Sequence, residues 1–136
     1  DVLSVQEDIA PLAKQLIELG ASVIMLKCGK LGIYYQSSKN SRVQALCQTM
    51  DLNSLAWEGQ TGFIPSFHPK TIVSSNGAGD VCIAAFLAAM LEGRNFITCV
   101  KLAAAAGACS LSASDPLSAL VPLETLADRI QTGYFQ

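Results

Sequence analysis

Gly77-Ala78-Gly79-Asp80 runs directly into eleven uninterrupted apolar residues, Val81–Leu91. A turn of very small residues followed by such a run describes a tight loop opening a buried helix, because only small residues let the backbone fold back so closely. The run is bounded by Asp80 and Glu92 and is too short to cross a bilayer. At the start of a helix the backbone N–H groups have no intrahelical partner. Those of residues 77 to 80 should therefore converge in one small volume, where the helix dipole favours an anion. Asp80 is out of place as a phosphate ligand, since its carboxylate repels a bare phosphate, but it suits a proton acceptor. An anion hole beside a general base is what phosphoryl transfer to a hydroxyl requires. A helix-capping aspartate after an ordinary tight turn is the other reading of the same residues.

The rest of the chain alternates between helical and extended patterns. Asp8 reads as an N-cap with Pro11 in the first turn, and Ile9, Leu12, Ala13, Leu16, Ile17 and Leu19 form an apolar stripe closed by Gly20. Val23–Leu26 reads as a buried strand, the Gly29/Gly32 turn follows, and Ile33–Tyr35 is its hairpin partner. Arg42–Cys47 is expected as an edge strand, and Phe63–Phe67 and Lys70–Ser74 as further strand material broken by His68-Pro69. Helices are expected over about 78–91, 96–113 and 122–131, with Gly93 ending the first and Pro122 in the first turn of the last. No linker, repeat or low-complexity tract interrupts the order, so residues 1–136 read as one domain. Such alternation predicts an α/β protein with a largely parallel sheet.

Composition excludes several functions. Only 15% of residues are charged and the formal net charge is −2, so there is no basic stripe for a nucleic acid. The 51% apolar content gives 136 residues a real core and leaves room for surface that more protein covers. No membrane partner is expected, and Asp1–Gln15 shows no signal-peptide pattern. The five cysteines, Cys28, Cys47, Cys82, Cys99 and Cys109, form no Cys-x-x-Cys pair and are odd in number. That usage suits buried thiols in a reducing, cytoplasmic setting. With one histidine, His68, and scattered thiols, no transition-metal site is expected. The dinucleotide fingerprint fails at its third glycine, where Cys82 stands, and a Walker Gly-Lys-Ser/Thr is absent.

Ser74-Ser75-Asn76-Gly77-Ala78-Gly79-Asp80, with small Ala84 and Ala85 one turn on, resembles the C-terminal signature of the ribokinase-like (PfkB) carbohydrate kinases. That signature usually reads Asp-Thr-x-Gly-Ala-Gly-Asp. The stretch Val23–Tyr35 is similar to the family's strand, Gly-x-x-Gly turn and strand, and Leu102–Ser112 to its Ala-rich helix beside the adenine. The resemblance implies the C-terminal, nucleotide-binding half of a three-layer α/β/α domain from a kinase of about twice this size. It implies ATP with Mg²⁺ as cofactors, and a sugar or sugar-like small molecule as acceptor. Partner possibilities are a second copy of the chain or the N-terminal half of the family domain.

The resemblance assigns Asp80 as catalytic base and Gly77, Ala78 and Gly79 as the amides facing the transferred phosphoryl group. Nucleotide binding is assigned to Asn76, to Lys27, Gly29 and Gly32, and to Ala104, Gly107 and Leu111 on the adenine side. Read from the residues alone, the two glycines of the turn suit a hairpin as well as a phosphate or ribose. The run Ala103–Ala108 suits tight helix packing as well as a flat ring. A rival reading is a catalytically inactive nucleotide-binding or scaffold fragment of the same fold, since Ser74 stands where the signature has Asp.

Overall fold

A computed structural model describes residues 4–135, which divide after Pro65 into two compact units. The first unit opens at Ser4, whose Oγ accepts the Glu7 N–H (3.2 Å) while the Asp8 carboxylate accepts the Ser4 N–H (2.7 Å). Ser4 is thus the N-cap in place of the expected Asp8, which acts instead as the acid of a capping pair. A widened, π-helical turn over Val5–Ile9 leads into α1 (Ala10–Glu18), just ahead of Pro11, whose missing N–H cannot continue the ladder. Strands β1 (Val23–Lys27), β2 (Gly32–Ser37) and β3 (Thr61–Pro65) form one sheet in the order β1-β2-β3. One face carries Ile24 and Tyr34 against Ile9 and Ala13, with Leu26 and Phe63 beside them.

This sheet is antiparallel throughout, with Leu26 opposite Tyr34 and Tyr34 opposite Phe63, and the expected parallel pairing is not found among the described residues. The physical reason lies in the connections. Residues 28–31 are too few for the crossover that a parallel pair needs, so β1 and β2 can only form a hairpin. The longer link from β2 to β3 leaves and returns at one place: Ser37 N–H donates to Gln60 O (2.8 Å) and Gly59 N–H to Ser38 O (3.0 Å). It is therefore a hairpin with a helical excursion. That excursion holds α2 (Ser41–Met50) and the single turn α3 (Ser54–Trp57). The expected edge strand Arg42–Cys47 is thus helix, started by Asn40, whose side chain accepts from Arg42 and Val43 N–H. Val43 and Cys47, four residues apart, share its buried face.

The second unit is helical, built from α4 (Ala78–Leu91), α5 (Phe96–Ser110) and α6 (Leu123–Gln131). Gly93, at φ +79°, follows the end of α4, and Pro122 is the N-cap of α6, one place before the first turn. Packing of α4 on α5 is close because facing residues are small: Ala85 and Ala89 are buried on one helix, Ala103, Ala105 and Ala106 on the other. Phe86 and Phe96 meet edge to face, with ring centroids 6.2 Å apart. Residues 70–74, expected as strand, have no regular structure, because the N–H groups of Val73 and Ser74 both turn to the Leu111 carbonyl at the end of α5 (2.7 and 3.2 Å).

Candidate functional site

The glycine turn forms the N-terminus of α4 in the second unit. Gly77 is the N-cap, with φ +76°, and a Cβ there would lie 2.6 Å from Cβ of Pro116, so only glycine fits. Val81 N–H makes the first helical bond, to Gly77 O (3.0 Å), and Ala78 N–H turns back to Ser75 O (3.3 Å). The N–H groups of Gly79 and Asp80, at the second and third positions of the helix, have no acceptor available within it. Asn76 is exposed, and its N–H donates to the Ser74 hydroxyl (3.2 Å). Serine at this place of the signature thus makes a small local turn that leads the chain into the glycines.

Asp80 occupies the first turn of α4, exposed, with its carboxylate beside the positive end of the helix dipole. No side chain caps this helix, so capping does not account for the residue. It borders a cavity of about 410 Å³, within the size range of small-molecule sites. Gly77, Asp80, Ala84 and Ala88 line one side, and Leu117, Leu120 and Leu126 line another. Among the described residues lining this cavity, Asp80 alone is ionisable. The arrangement offers one proton-accepting carboxylate, two unpaired N–H donors beside it, and an apolar floor.

The remaining expected site residues fall in two places. Within the second unit, Gly107 sits on α5 directly against the turn: a Cβ added there would meet Ala78 O at 3.6 Å and Cys82 Cβ at 3.7 Å. Ala104 is half-buried one turn earlier, and Leu111 is the C-cap whose carbonyl holds Val73 and Ser74. The cavity takes Ala106 from α5. In the first unit, Lys27 is exposed at the end of β1, opposite Ile33. Gly29 has φ +56° with open space where a side chain would stand. Gly32, at φ +135°, would drive a Cβ to 2.1 Å from Ile64 O, so the close approach of β3 demands glycine.

One support of the turn, Pro116, escaped sequence reasoning, while Asp115, which stands where the family commonly has glycine, organises the segment that follows it. Pro116, which fixes Gly77, belongs to a Ser-Asp-Pro turn, a recognisable punctuation mark that carries no hint of its partner. The carboxylate of Asp115 accepts Leu117 N–H (3.0 Å), Ser118 N–H (2.8 Å) and the Ser118 hydroxyl, bonds that hold its pKa below the usual carboxylate value. The Asp115 side chain thereby shapes the segment carrying Leu117 and Leu120. No group of three or more metal-ligating side chains is assembled among the described residues, and no described helix is long and apolar enough to cross a membrane.

Solved structures of ribokinase-like fold are similar to this chain. The putative ribokinase II from E. coli, in complex with ATP and Mg²⁺, superposes with a TM-score of 0.69 at 20% identity, over 90% of this chain and 33% of that one. Arabidopsis thaliana ribokinase, complexed with ribose and ATP, gives 0.68 at 20% identity, over 90% and 33%. A Burkholderia thailandensis nucleoside kinase in complex with inosine gives 0.67 at 16% identity, over 89% and 33%. The chain spans about a third of the length of these proteins, less than the half that the sequence resemblance implies. No curated protein sequence matches it. The sequence profile of the pfkB family carbohydrate kinases matches residues 3–122, and the chain belongs to that family.

Proposed function

We propose that the chain is the nucleotide-binding part of an ATP-dependent kinase acting on a hydroxyl of a sugar or sugar-like small molecule. The observation that carries this reading is Asp80, exposed at the open N-terminus of α4, on the rim of a cavity in which it is the one ionisable group described. Bound ATP would supply the phosphoryl group, with Mg²⁺ shielding its charge. The residues present suit such a ligand, since the N–H groups of Gly79 and Asp80 are open donors and Gly77 presents no Cβ. Ala78 N–H, held by Ser75 O at only 3.3 Å, is a third donor once a stronger acceptor replaces that carbonyl. The Asp80 carboxylate would take the proton from the acceptor hydroxyl as the hydroxyl oxygen bonds to the γ-phosphorus, the bond to the β-phosphate breaks and ADP leaves. The backbone donors at 77–79 and at Asp80 itself offset the negative charge on the transferred group. Nucleotide binding is the role this reading gives to Asn76, Ala104, Gly107 and Leu111 in the second unit and to Lys27, Gly29 and Gly32 in the first.

We further propose that the chain is part of a three-layer α/β/α domain, completed by chain that the larger relatives possess. The exposed flank of α4 supports this: Ile83 (45% exposed), Leu87 (47%) and Leu91 (71%) lie four residues apart on one side of an almost wholly apolar helix. The rival reading, an inactive nucleotide-binding or scaffold fragment, draws on Ser74, whose hydroxyl serves a local turn where the signature has a carboxylate. One substitution separates the two. In the protein that carries this chain, Asp80→Asn should lower sugar-dependent phosphoryl transfer by roughly 10²–10⁴ while Mg·ATP still binds. An unchanged rate removes Asp80 from the mechanism.

A further inference from the structure

Asn76 is the one asparagine of this chain that precedes a glycine. Asn40, Asn53 and Asn95 stand before Ser41, Ser54 and Phe96, whose side chains crowd the following nitrogen. Asn40 and Asn53 also engage their carboxamide oxygens with N–H groups at the starts of α2 and α3. Asn76 differs in each respect. It is exposed, and among the described residues its carboxamide makes no hydrogen bond. The Gly77 N–H likewise has no acceptor among the described residues, and no Cβ hinders approach to that nitrogen. With Gly77 at φ +76° and ψ −1°, and Ala78 N–H turned back to Ser75 O (3.3 Å), residues 75–78 form a type II turn with Asn76 at its corner.

We propose that Asn76 is a site of spontaneous deamidation, a covalent change that weakens anion binding at the turn. The Gly77 nitrogen gives its proton to solvent base and bonds to Cγ of Asn76. The bond from Cγ to the carboxamide nitrogen breaks, and ammonia leaves with the proton it needs from solvent. Water then opens the five-membered succinimide at either carbonyl, giving aspartate or isoaspartate. The net change consumes one water and releases one ammonia, with no oxidant or reductant. The exposed side chain is the partner that moves, since the backbone is already turned. The effect on binding rests on the kinase reading above; the modification does not. The aspartate product sets a carboxylate one residue before the N-cap Gly77, where it competes with a bound anion for the open N–H groups of Gly79 and Asp80. The isoaspartate product lengthens the main chain by one methylene, at a turn where even a Cβ on Gly77 would stand 2.6 Å from Cβ of Pro116.

The test is peptide mass mapping of the folded protein that carries this chain, aged in mildly alkaline buffer beside a urea-unfolded sample. The folded protein should gain, in the peptide bearing Asn76, the mass difference between O and NH, while the peptides bearing Asn40, Asn53 and Asn95 stay unchanged. Enzymatic methylation of isoaspartate should label the same peptide, and Asn76→Ser should abolish both signals. An intact Asn76 in the folded protein, with conversion in the unfolded one or in neither, overturns the proposal. The effect on binding is read by Mg·ATP titration of Asn76→Asp against Asn76→Ser, which lacks the carboxamide but adds no charge. At low ionic strength the aspartate variant should bind about three- to tenfold more weakly than the serine variant, and added salt should close the gap. Equal affinity of the two variants overturns the effect on binding. If the parent protein binds no Mg·ATP, the kinase reading fails, while the mass map still judges the modification.

Discussion

Replacing Gly77 by alanine places a methyl group where two costs coincide. The backbone there is left-handed, at φ +76°, and holding a Cβ-bearing residue in that region costs about 1–2 kcal/mol. The new Cβ would also stand 2.6 and 2.8 Å from Cβ and Cγ of Pro116, and relieving such an overlap costs a further 1–3 kcal/mol or about that. Against these, alanine restricts the unfolded chain and returns about 0.4–1 kcal/mol. The net expectation is a loss of about 1–4.5 kcal/mol. Urea denaturation followed by far-ultraviolet circular dichroism is the suitable assay, because α4, α5 and α6 dominate the helical signal while Trp57 lies in the other unit. Pro116→Gly removes the colliding ring. In a double-mutant cycle it should recover the overlap portion of the loss and leave the left-handed portion in place. A single Gly77→Ala variant within about 0.5 kcal/mol of the parent would refute the claim that Pro116 and the turn geometry enforce glycine.

Gly107 predicts the opposite sign. The nearest atoms to an added Cβ lie at 3.6 and 3.7 Å, ordinary contact distances, so Gly107→Ala should stabilise the protein by up to about 1 kcal/mol through helix propensity. Lost Mg·ATP binding in that stabilised variant would show that Gly107 makes room for the nucleotide, and retained binding that it serves packing alone. Cys99 gives a pH dependence. It is fully buried, its Sγ lies 3.6 Å from Arg94 O, and burial pushes its thiol up to about 12. Its contribution is fully present below the unfolded thiol value of 9.0 and is lost as pH rises toward 12, because the unfolded chain releases a proton that the folded chain keeps. Denaturation midpoints should therefore fall above that pH, in the same direction as burial drives Cys47, Tyr34 and Tyr35. Cys99→Ala should flatten the slope, and an unchanged slope would exclude Cys99 as a source.

The second unit was readable because its signals are local and strong. A glycine turn followed by eleven apolar residues admits little but α4 (Ala78–Leu91), and expected helices over 96–113 and 122–131 correspond to α5 (Phe96–Ser110) and α6 (Leu123–Gln131). In the first unit the decisive facts are nonlocal. Nothing around Ser38 or Gly59 announces that these residues meet, yet that meeting makes the excursion a hairpin and the sheet antiparallel. Reading Arg42–Cys47 as a strand overlooked Asn40 as a cap and the four-residue spacing of Val43 and Cys47. At the site, the residue types and order were legible, but the packing that fixes them was not. Pro116 lies 39 positions beyond Gly77, and the carbonyl of Leu111 has no sequence signature at all.

The turn that opens α4 is braced before any ligand arrives. Pro116 bars one side, Gly107 abuts Ala78 from another, and the Leu111 carbonyl pins the incoming strand of chain. A loop so confined has little conformational freedom left to surrender on association. Calorimetry of anion or nucleotide binding should therefore record a small ordering penalty. Affinity at this place is then governed by desolvation and charge, and ionic strength becomes a more effective control over it than temperature.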